Sequence, residues 1–337
     1  MPVHTPAPRS ARRPALPRRP SGPALFAVLL PLALACAQSR DTSHDACPPE
    51  APALATGGAP HALRTVFVIV MENQDWSDIA GNPAAPYVNG TLLPAFAHAL
   101  DYRTGGLHPS LGNYVWLEAG DPLGIHFDAP PADVPLPVTC HLATYLEDVG
   151  LTWKAYAEGI AGDTCPLVNE GTYAVRHDPF VYFEDVSGHP FDPHSARCIA
   201  HVRPFEELAS DLAAGTVPRY SFIIPDVCDD GHDACPPLND PVAQQDAFLA
   251  REVPAIMDSA AYRDGGVILV VWDEGHRGDH PIGLIAVSPL AKPGYAAPGA
   301  YTHGSTVRTV QEILGVTPLL RTAASSASLS DLFTAYP

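Results

Sequence analysis

An α/β fold, with a mainly parallel central sheet flanked by helices and interrupted by long loop insertions, is what this sequence predicts. Three observations carry that expectation. Continuous apolar runs rich in β-branched residues, Thr65–Met71 above all, read as strands buried on both faces, the pattern of a parallel sheet. Stretches of helical period alternate with these runs. Acids and amides fall directly beyond the strand ends, where open parallel sheets bind their ligands.

The elements follow in order. After Thr65–Met71, strands are predicted at Thr152–Tyr156, Tyr220–Ile224, Val267–Trp272 and Gly283–Ser288. Leu142, Tyr145, Leu146 and Val149 form a helical stripe closed by Gly150; Val307, Val310, Ile313 and Leu314 form another, closed by Gly315. Asp240-Pro241 opens a longer helix toward Ala261, bent at Pro254. The regions 120–140 and 160–205, rich in Pro, Asp, His and aromatics, lack periodicity and read as substrate-facing loops. Trp153, Tyr156 and Trp272 read as core aromatics.

Domain organisation follows from composition. Arg9, Arg12, Arg13, Arg18 and Arg19 precede an apolar run from Ala24 to Ala35, the grammar of an export signal over residues 1–35. Cleavage after Ala33-Leu34-Ala35 leaves Cys36 first, where bacterial lipoproteins carry their lipid; a lipidated Cys36 tether and ordinary secretion, periplasmic or beyond, both fit. Residues 36–60 read as a flexible linker and 61–337 as the folded domain. Six cysteines remain beyond Cys36, an even number that suits disulfides in an oxidising compartment, with Cys228 and Cys235 spaced to clip one loop. The net charge is −18, and because residues 1–35 hold five Arg and no acid, the remainder carries −23. Such a surface repels nucleic acid and anionic membrane.

The strand ends carry the chemistry. Glu72-Asn73 follow Met71, Asp226 lies two beyond Ile224, and Asp273-Glu274 follow Trp272. Any one pair reads equally as a helix cap. Together they predict an oxygen-rich site for a divalent cation, suited to Ca²⁺, Mg²⁺ or Mn²⁺ and compatible with Zn²⁺. Ser110, just after Pro109, reads on spacing as a helix N-cap with an exposed hydroxyl; a neighbouring metal would make it a nucleophile. His126, His141, His189, His194 and His201 read as loop or surface residues, while His276 and His280 lie near the acid pair without a spacing argument.

These segments, with Val70–Asn73, His108–Tyr114, Arg176–Phe180, Ile224–Asp226, Val271–Gly275 and His303–Ser305 in that order, resemble the bacterial phosphoesterase family of acid phosphatases and phospholipases C within the alkaline-phosphatase-like superfamily. The resemblance spans residues 64–318 and leans to the compact acid phosphatase branch, whose relatives include phosphatidylinositol-3-phosphate phosphatases. It implies an alkaline-phosphatase-like fold, with Glu72, Asn73, Ser110, Asp273 and Glu274 holding the divalent cation. It implies Ser110 as the nucleophile of a phosphoserine intermediate, with His177 and His232 catalytic. Asn113, His303 and Asp226 would bind a small phosphate ester or a phospholipid headgroup. Two rival expectations stand beside monoester hydrolysis: a phospholipase C acting on lipid phosphodiesters, and a non-catalytic exported lipoprotein that binds phosphate or metal.

Overall fold

A computed structural model describes Met1 and residues 39–55, 61–276 and 278–337. Residues 2–35 of the expected leader and the expected lipidation position Cys36 lie outside the described residues. Among the described residues ten strands form: β1 (Ala53–Leu54), β2 (Thr65–Met71), β3 (Ala97–Tyr102), β4 (Trp153–Ala157), β5 (Val202–Pro204), β6 (Tyr220–Ile224), β7 (Gly266–Trp272), β8 (Leu284–Val287), β9 (Ala296–Tyr301) and β10 (Val316–Thr317). Eight of them make one sheet in the order β5-β4-β6-β2-β7-β8-β3-β9. Only β8 runs against its neighbours there; the other pairings are parallel. β1 and β10 pair antiparallel in a separate ribbon.

The central strands are where the apolar runs placed them. Every residue of β2 and β7 is buried, so neither face needs a polar side chain. Each buried Val, Ile or Phe contributes about 1.5–3 kcal/mol of transfer free energy. Trp153, Tyr156 and Trp272 lie in this core, as their sequence context predicts.

Four helices bear on the site: α1 (Ser110–Ala119), α2 (Leu142–Asp148), α3 (Pro241–Met257) and α4 (His303–Leu314). Asp240 starts α3 by accepting from the Val242 and Ala243 N–H groups, with Pro241 at the first helical position and Pro254 inside the last turns. Thr302 and Ser305 cap α4 reciprocally, and Gly315 closes it in the left-handed region at φ 70°.

Part of the expected linker is fastened to the domain. Asp41 caps the short turn Thr42–His44, Cys47 is disulfide-bonded to Cys140, and β1 pairs with β10. The Pro- and Ala-rich composition gave no sign of this, because the anchors are one cysteine and two backbone pairings. The Cys228–Cys235 clip forms as its spacing suggested, and Cys165 pairs with Cys198.

His141 differs from its sequence reading as a surface residue. It is fully buried, with Nδ1 2.8 Å from Glu118 Oε1 and Nε2 3.2 Å from both Asp185 carboxylate oxygens. Burial works against a charge on His141, but hydrogen bonds to Asp185 and Glu118 outweigh it and raise its pKa above 6.5. Burial also opposes the Asp185 charge, yet His141, Thr144 and Arg197 hold that carboxyl below its ordinary 3.8. Glu118, wholly enclosed, is pushed up by burial, so Asp185 is the firmer partner.

The signs define a pH window. The raised His141 contributes stability that is complete below 6.5 and lost as pH rises through its folded value; the depressed Asp185 contributes above 3.8 and loses it as pH falls. His141→Gln is therefore expected to lower the urea midpoint more at pH 5 than at pH 8.5. Equal losses at both would show that His141 is not charged in the fold.

Candidate active site

Strand register makes Glu72 and Asp273 neighbours. β2 and β7 run parallel with Met71 opposite Trp272, so the next residue on each leaves the sheet at the same end. The Asp273 N–H donates to Met71 O at 2.9 Å, and the Asn73 N–H donates to Asp273 Oδ1 at 3.3 Å. Asn73 makes this turn at φ 53°, a region that Asn tolerates better than most residues. On the other side of β2 lies β6, whose following loop reaches the same place: the Glu72 N–H donates to Asp230 O at 2.9 Å.

Gln245 of α3 ties these ends together. Its Nε2 donates to Glu72 O and Asp230 O, each at 2.7 Å, and its Oε1 accepts from Trp272 Nε1 at 3.0 Å. Gly231 lies against this amide at φ +83°, and a β-carbon there would collide with the Gln245 side chain. Gly231→Ala combines a strained backbone with overpacking, so it is expected to destabilise by about 2–4 kcal/mol and to lower activity. Urea unfolding and a phosphatase assay check this; an unchanged midpoint would show that the clamp yields freely.

Ser110 is the first residue of α1, with Pro109 rather than Ser110 at the N-cap. The residue is 2% exposed, so its hydroxyl is not open to solvent as the spacing suggested, and it donates to Glu72 Oε2 at 3.3 Å. The Leu111 N–H at the same helix start donates to Asp128 Oδ1 at 3.0 Å. Four residues beyond Ser110, Tyr114 stacks on His177 with ring centroids 4.9 Å apart and planes within 3°.

His177 bridges two acids by distance: Nε2 lies 3.0 Å from Glu72 Oε1 and Nδ1 2.9 Å from Asp230 Oδ2. Neither approach has hydrogen-bond alignment, and Glu72 Oε1, Asp230 Oδ2 and Asp273 Oδ2 are likewise buried without an aligned partner among the described residues. Burial pushes Glu72 well up, as do the charges of Asp273, Asp230 and Glu274; burial raises Asp230 and Asp273 too. Glu274 is pushed up to about 8 by burial and then by Asp128. Burial, together with the charges of Arg176 and His232, holds His177 well below 6.5. Its ring is neutral and has a lone pair to offer.

This donor set fits a divalent cation. Buried carboxyl oxygens that lack hydrogen-bond partners, forced toward neutrality by one another, are ionised and satisfied by a bound cation. Glu72, His177 and His232 each offer a ligand atom, all within 4.8 Å of one another.

The remaining expected residues divide. Asn113 is buried beside the cluster, but its Nδ2 donates to Leu107 O and Glu274 Oε2, each at 3.0 Å, leaving Oδ1 without a partner among the described residues. His232 is half-buried, with Nδ1 2.8 Å from Asp233 Oδ1 and Nε2 3.0 Å from Arg176 Nη2. His303, expected to contact substrate, is enclosed: Nε2 meets Asp273 O at 2.8 Å and Nδ1 meets Tyr102 OH at 2.9 Å. It braces the strand end that carries Asp273. Asp226, also expected at the substrate, spends Oδ1 on the Cys228 and Asp229 N–H groups and Oδ2 on Thr172 Oγ1, shaping the loop that presents Asp230.

Sequence reading passed over Asp230, His108, Asp128 and Arg176. His108 Nδ1 lies 3.0 Å from Glu274 Oε2. The signal for Asp230 was its place beyond a strand end, two residues before His232, hidden because Asp226 is nearer the strand. His108 and Arg176 stood inside quoted segments, each beside a residue already given a role.

Comparison with known proteins agrees with this architecture. Residues 91–317 match the model of the Phosphoesterase family. A phosphatidylinositol-3-phosphatase of Mycobacterium tuberculosis is 27% identical, over 82% of this chain and 86% of that protein. A phosphate-repressible acid phosphatase of Penicillium chrysogenum is 25% identical over 75% of this chain, and a probable acid phosphatase of Kluyveromyces lactis 27% identical over 51%. The chain spans 59% and 39% of those two proteins. Among solved structures, a phosphonate monoester hydrolase of Agrobacterium radiobacter superposes with TM-score 0.54 at 12% identity, covering 81% of this chain and 78% of that one. An alkaline phosphatase superfamily protein of Vibrio parahaemolyticus gives 0.52 at 12%, covering 78% and 69%. The fold is alkaline-phosphatase-like, and with the family model matching well over half its length, the chain belongs to the Phosphoesterase family.

Proposed function

We propose that this protein hydrolyses phosphate monoesters through a phosphoserine on Ser110, using a divalent cation held by Glu72, Asn73, Asp273 and Glu274. The observation that carries the reading is the Ser110 hydroxyl 3.3 Å from Glu72, at the point where two strand-end acids converge. The names of the curated relatives, acid phosphatases and a phosphatidylinositol-3-phosphatase, support a monoester over a diester. The six paired cysteines support a place outside the reducing cytosol, in keeping with the signal-like leader. Among the described residues no helix is long and apolar enough to cross a membrane.

The residues divide the work as follows. A bound divalent cation supplies charge that lowers the pKa of a nearby hydroxyl and polarises a phosphoryl oxygen. Ser110 Oγ gives up its proton to Glu72 Oε2, which already accepts its hydrogen bond, and forms a bond to phosphorus while the bond from phosphorus to the alcohol oxygen breaks on the opposite side. Asn113 and His177 would bind the equatorial oxygens, Asn113 by exchanging Glu274, and His177 by exchanging Glu72 or Asp230, for the substrate. His232, the more open imidazole, delivers a proton to the departing alkoxide. Water then cleaves the phosphoserine, giving one proton to His232 as its oxygen bonds phosphorus, while Ser110 Oγ leaves and takes back its proton from Glu72, releasing phosphate.

The test assays p-nitrophenyl phosphate and bis(p-nitrophenyl) phosphate before and after chelation, with single metals restored. Monoester turnover that disappears with chelation, returns with one divalent ion and exceeds diester turnover is the expected result. Faster diester cleavage would favour a phosphodiesterase; saturable phosphate binding without turnover would favour a binding protein.

A further inference from the structure

Arg176 brings a positive charge beside the site, 3.0 Å from His232 and 3.5 Å from Asp128, where it favours the charged forms of Glu72, Asp230 and Glu274, and nothing in the reaction above uses it. We propose that Arg176, with the cavity it lines, selects phosphate esters whose alcohol carries a second anionic group, a carboxylate or another phosphate. This rests on the phosphomonoesterase reading and adds a substrate class to it.

The cavity measures about 390 Å³, within the about 300–1,000 Å³ of small-molecule sites and enough for a hexose-sized alcohol. Two contacts fix it beside the reacting serine. Asp128, one of its walls, accepts the N–H of Leu111, the residue after Ser110, at 3.0 Å. Arg176, another wall, reaches His232 Nε2 at 3.0 Å through Nη2. An alcohol leaving phosphorus near His232 therefore has this cavity next to it.

The chemistry of the walls names the ligand. Asp128, Glu72, Asp230, Asp273 and Glu274 gather acids around the site, so a second anion is unwelcome except where a cation meets it. A guanidinium has five N–H donors. The Arg176 Nε faces Asp128 Oδ2 at 3.5 Å and Nη2 engages His232, which leaves Nη1 without a partner among the described residues. Asp128 holds the guanidinium on the cavity side, and a planar fork of this kind matches carboxylate or phosphate oxygens. Asn169 adds a polar edge, and Val168, Val175 and Pro130 give the carbon skeleton an apolar wall. Val168 is 63% exposed, so its side chain is open to contact with a bound alcohol.

The experiment compares 6-phosphogluconate with glucitol 6-phosphate, which differ only in a carboxylate against a hydroxymethyl group, on the metal-loaded full chain. The wild type is expected to favour 6-phosphogluconate in kcat/KM by about ten- to a hundredfold, the scale of a charge-assisted hydrogen bond. Arg176→Gln should collapse the ratio toward one, chiefly through KM, and Arg176→Lys should recover part of it. Val168→Glu, on an exposed wall where folding is not at stake, should reverse the preference by setting a carboxylate against the ligand's own. Three results overturn the proposal: no preference in the wild type, a ratio unmoved by both Arg176→Gln and Val168→Glu, or equal losses on both esters in Arg176→Gln, which would put Arg176 on the transferred phosphoryl group. Absence of turnover on these esters and on p-nitrophenyl phosphate would instead remove the phosphomonoesterase reading and this inference with it.

Discussion

Ser110→Ala is expected to lower kcat by about four to six orders of magnitude, the scale seen when a covalent hydrolase loses its nucleophile. The reason is positional. Ser110 begins α1, its hydroxyl is enclosed, and its hydrogen bond runs to a carboxylate at the end of β2. Alanine keeps the helix and removes only the oxygen, so a loss of this size would report chemistry and not unfolding. Single-turnover rapid quench with ³²P-labelled ester should trap label on the wild type and none on the variant. Retained turnover with label elsewhere would assign the nucleophile to another residue.

Glu72→Gln and Asp273→Asn are expected to abolish turnover too, while making the metal-free protein more stable. Glu72, Asp230 and Asp273 lie wholly buried, and burial and mutual repulsion disfavour their charged forms. Removing one carboxylate relieves that repulsion but deletes a ligand. For the wild type, a cation at a hundred times its dissociation constant adds about 2.7 kcal/mol of stability. Thermal melts in chelator and in added Mn²⁺ should therefore show a rise with metal for the wild type. The variants should melt higher than wild type in chelator and barely respond to the ion. A variant that melts lower in chelator and still responds would mean its carboxylate is a structural partner and not a ligand.

How much was legible depended on whether the determinant was local. β2, β6 and β7 announced themselves because strands buried on both faces read as nearly continuous apolar runs, interrupted only by Thr65 and Ser221. β3 and β9, rich in Ala and bearing His98, Asp101 and Gly299, carry no such signal; their pairing with each other and with β8 creates them. The same division runs through the site. Glu72 and Asp273 were visible as strand-end acids, and register then brought them together. Asp230, Asp128 and Arg176 matter through partners 17 to 158 positions away, which no local spacing encodes. His303 and Asp226 misled for the opposite reason: each stands in a motif-like stretch, yet the protein's own groups take up the ring nitrogens of one and the carboxylate oxygens of the other. The disulfide at Cys47 likewise overrode a linker-like composition.

The most direct measurement is anomalous diffraction from crystals grown in a concentration of Mn²⁺ that restores activity to the chelated enzyme. A single strong peak within coordinating distance of the Glu72 and Asp273 carboxylates, beside the Ser110 hydroxyl, is the predicted result. Full activity in that concentration with no peak there, or with the ion bound only elsewhere, would contradict the account.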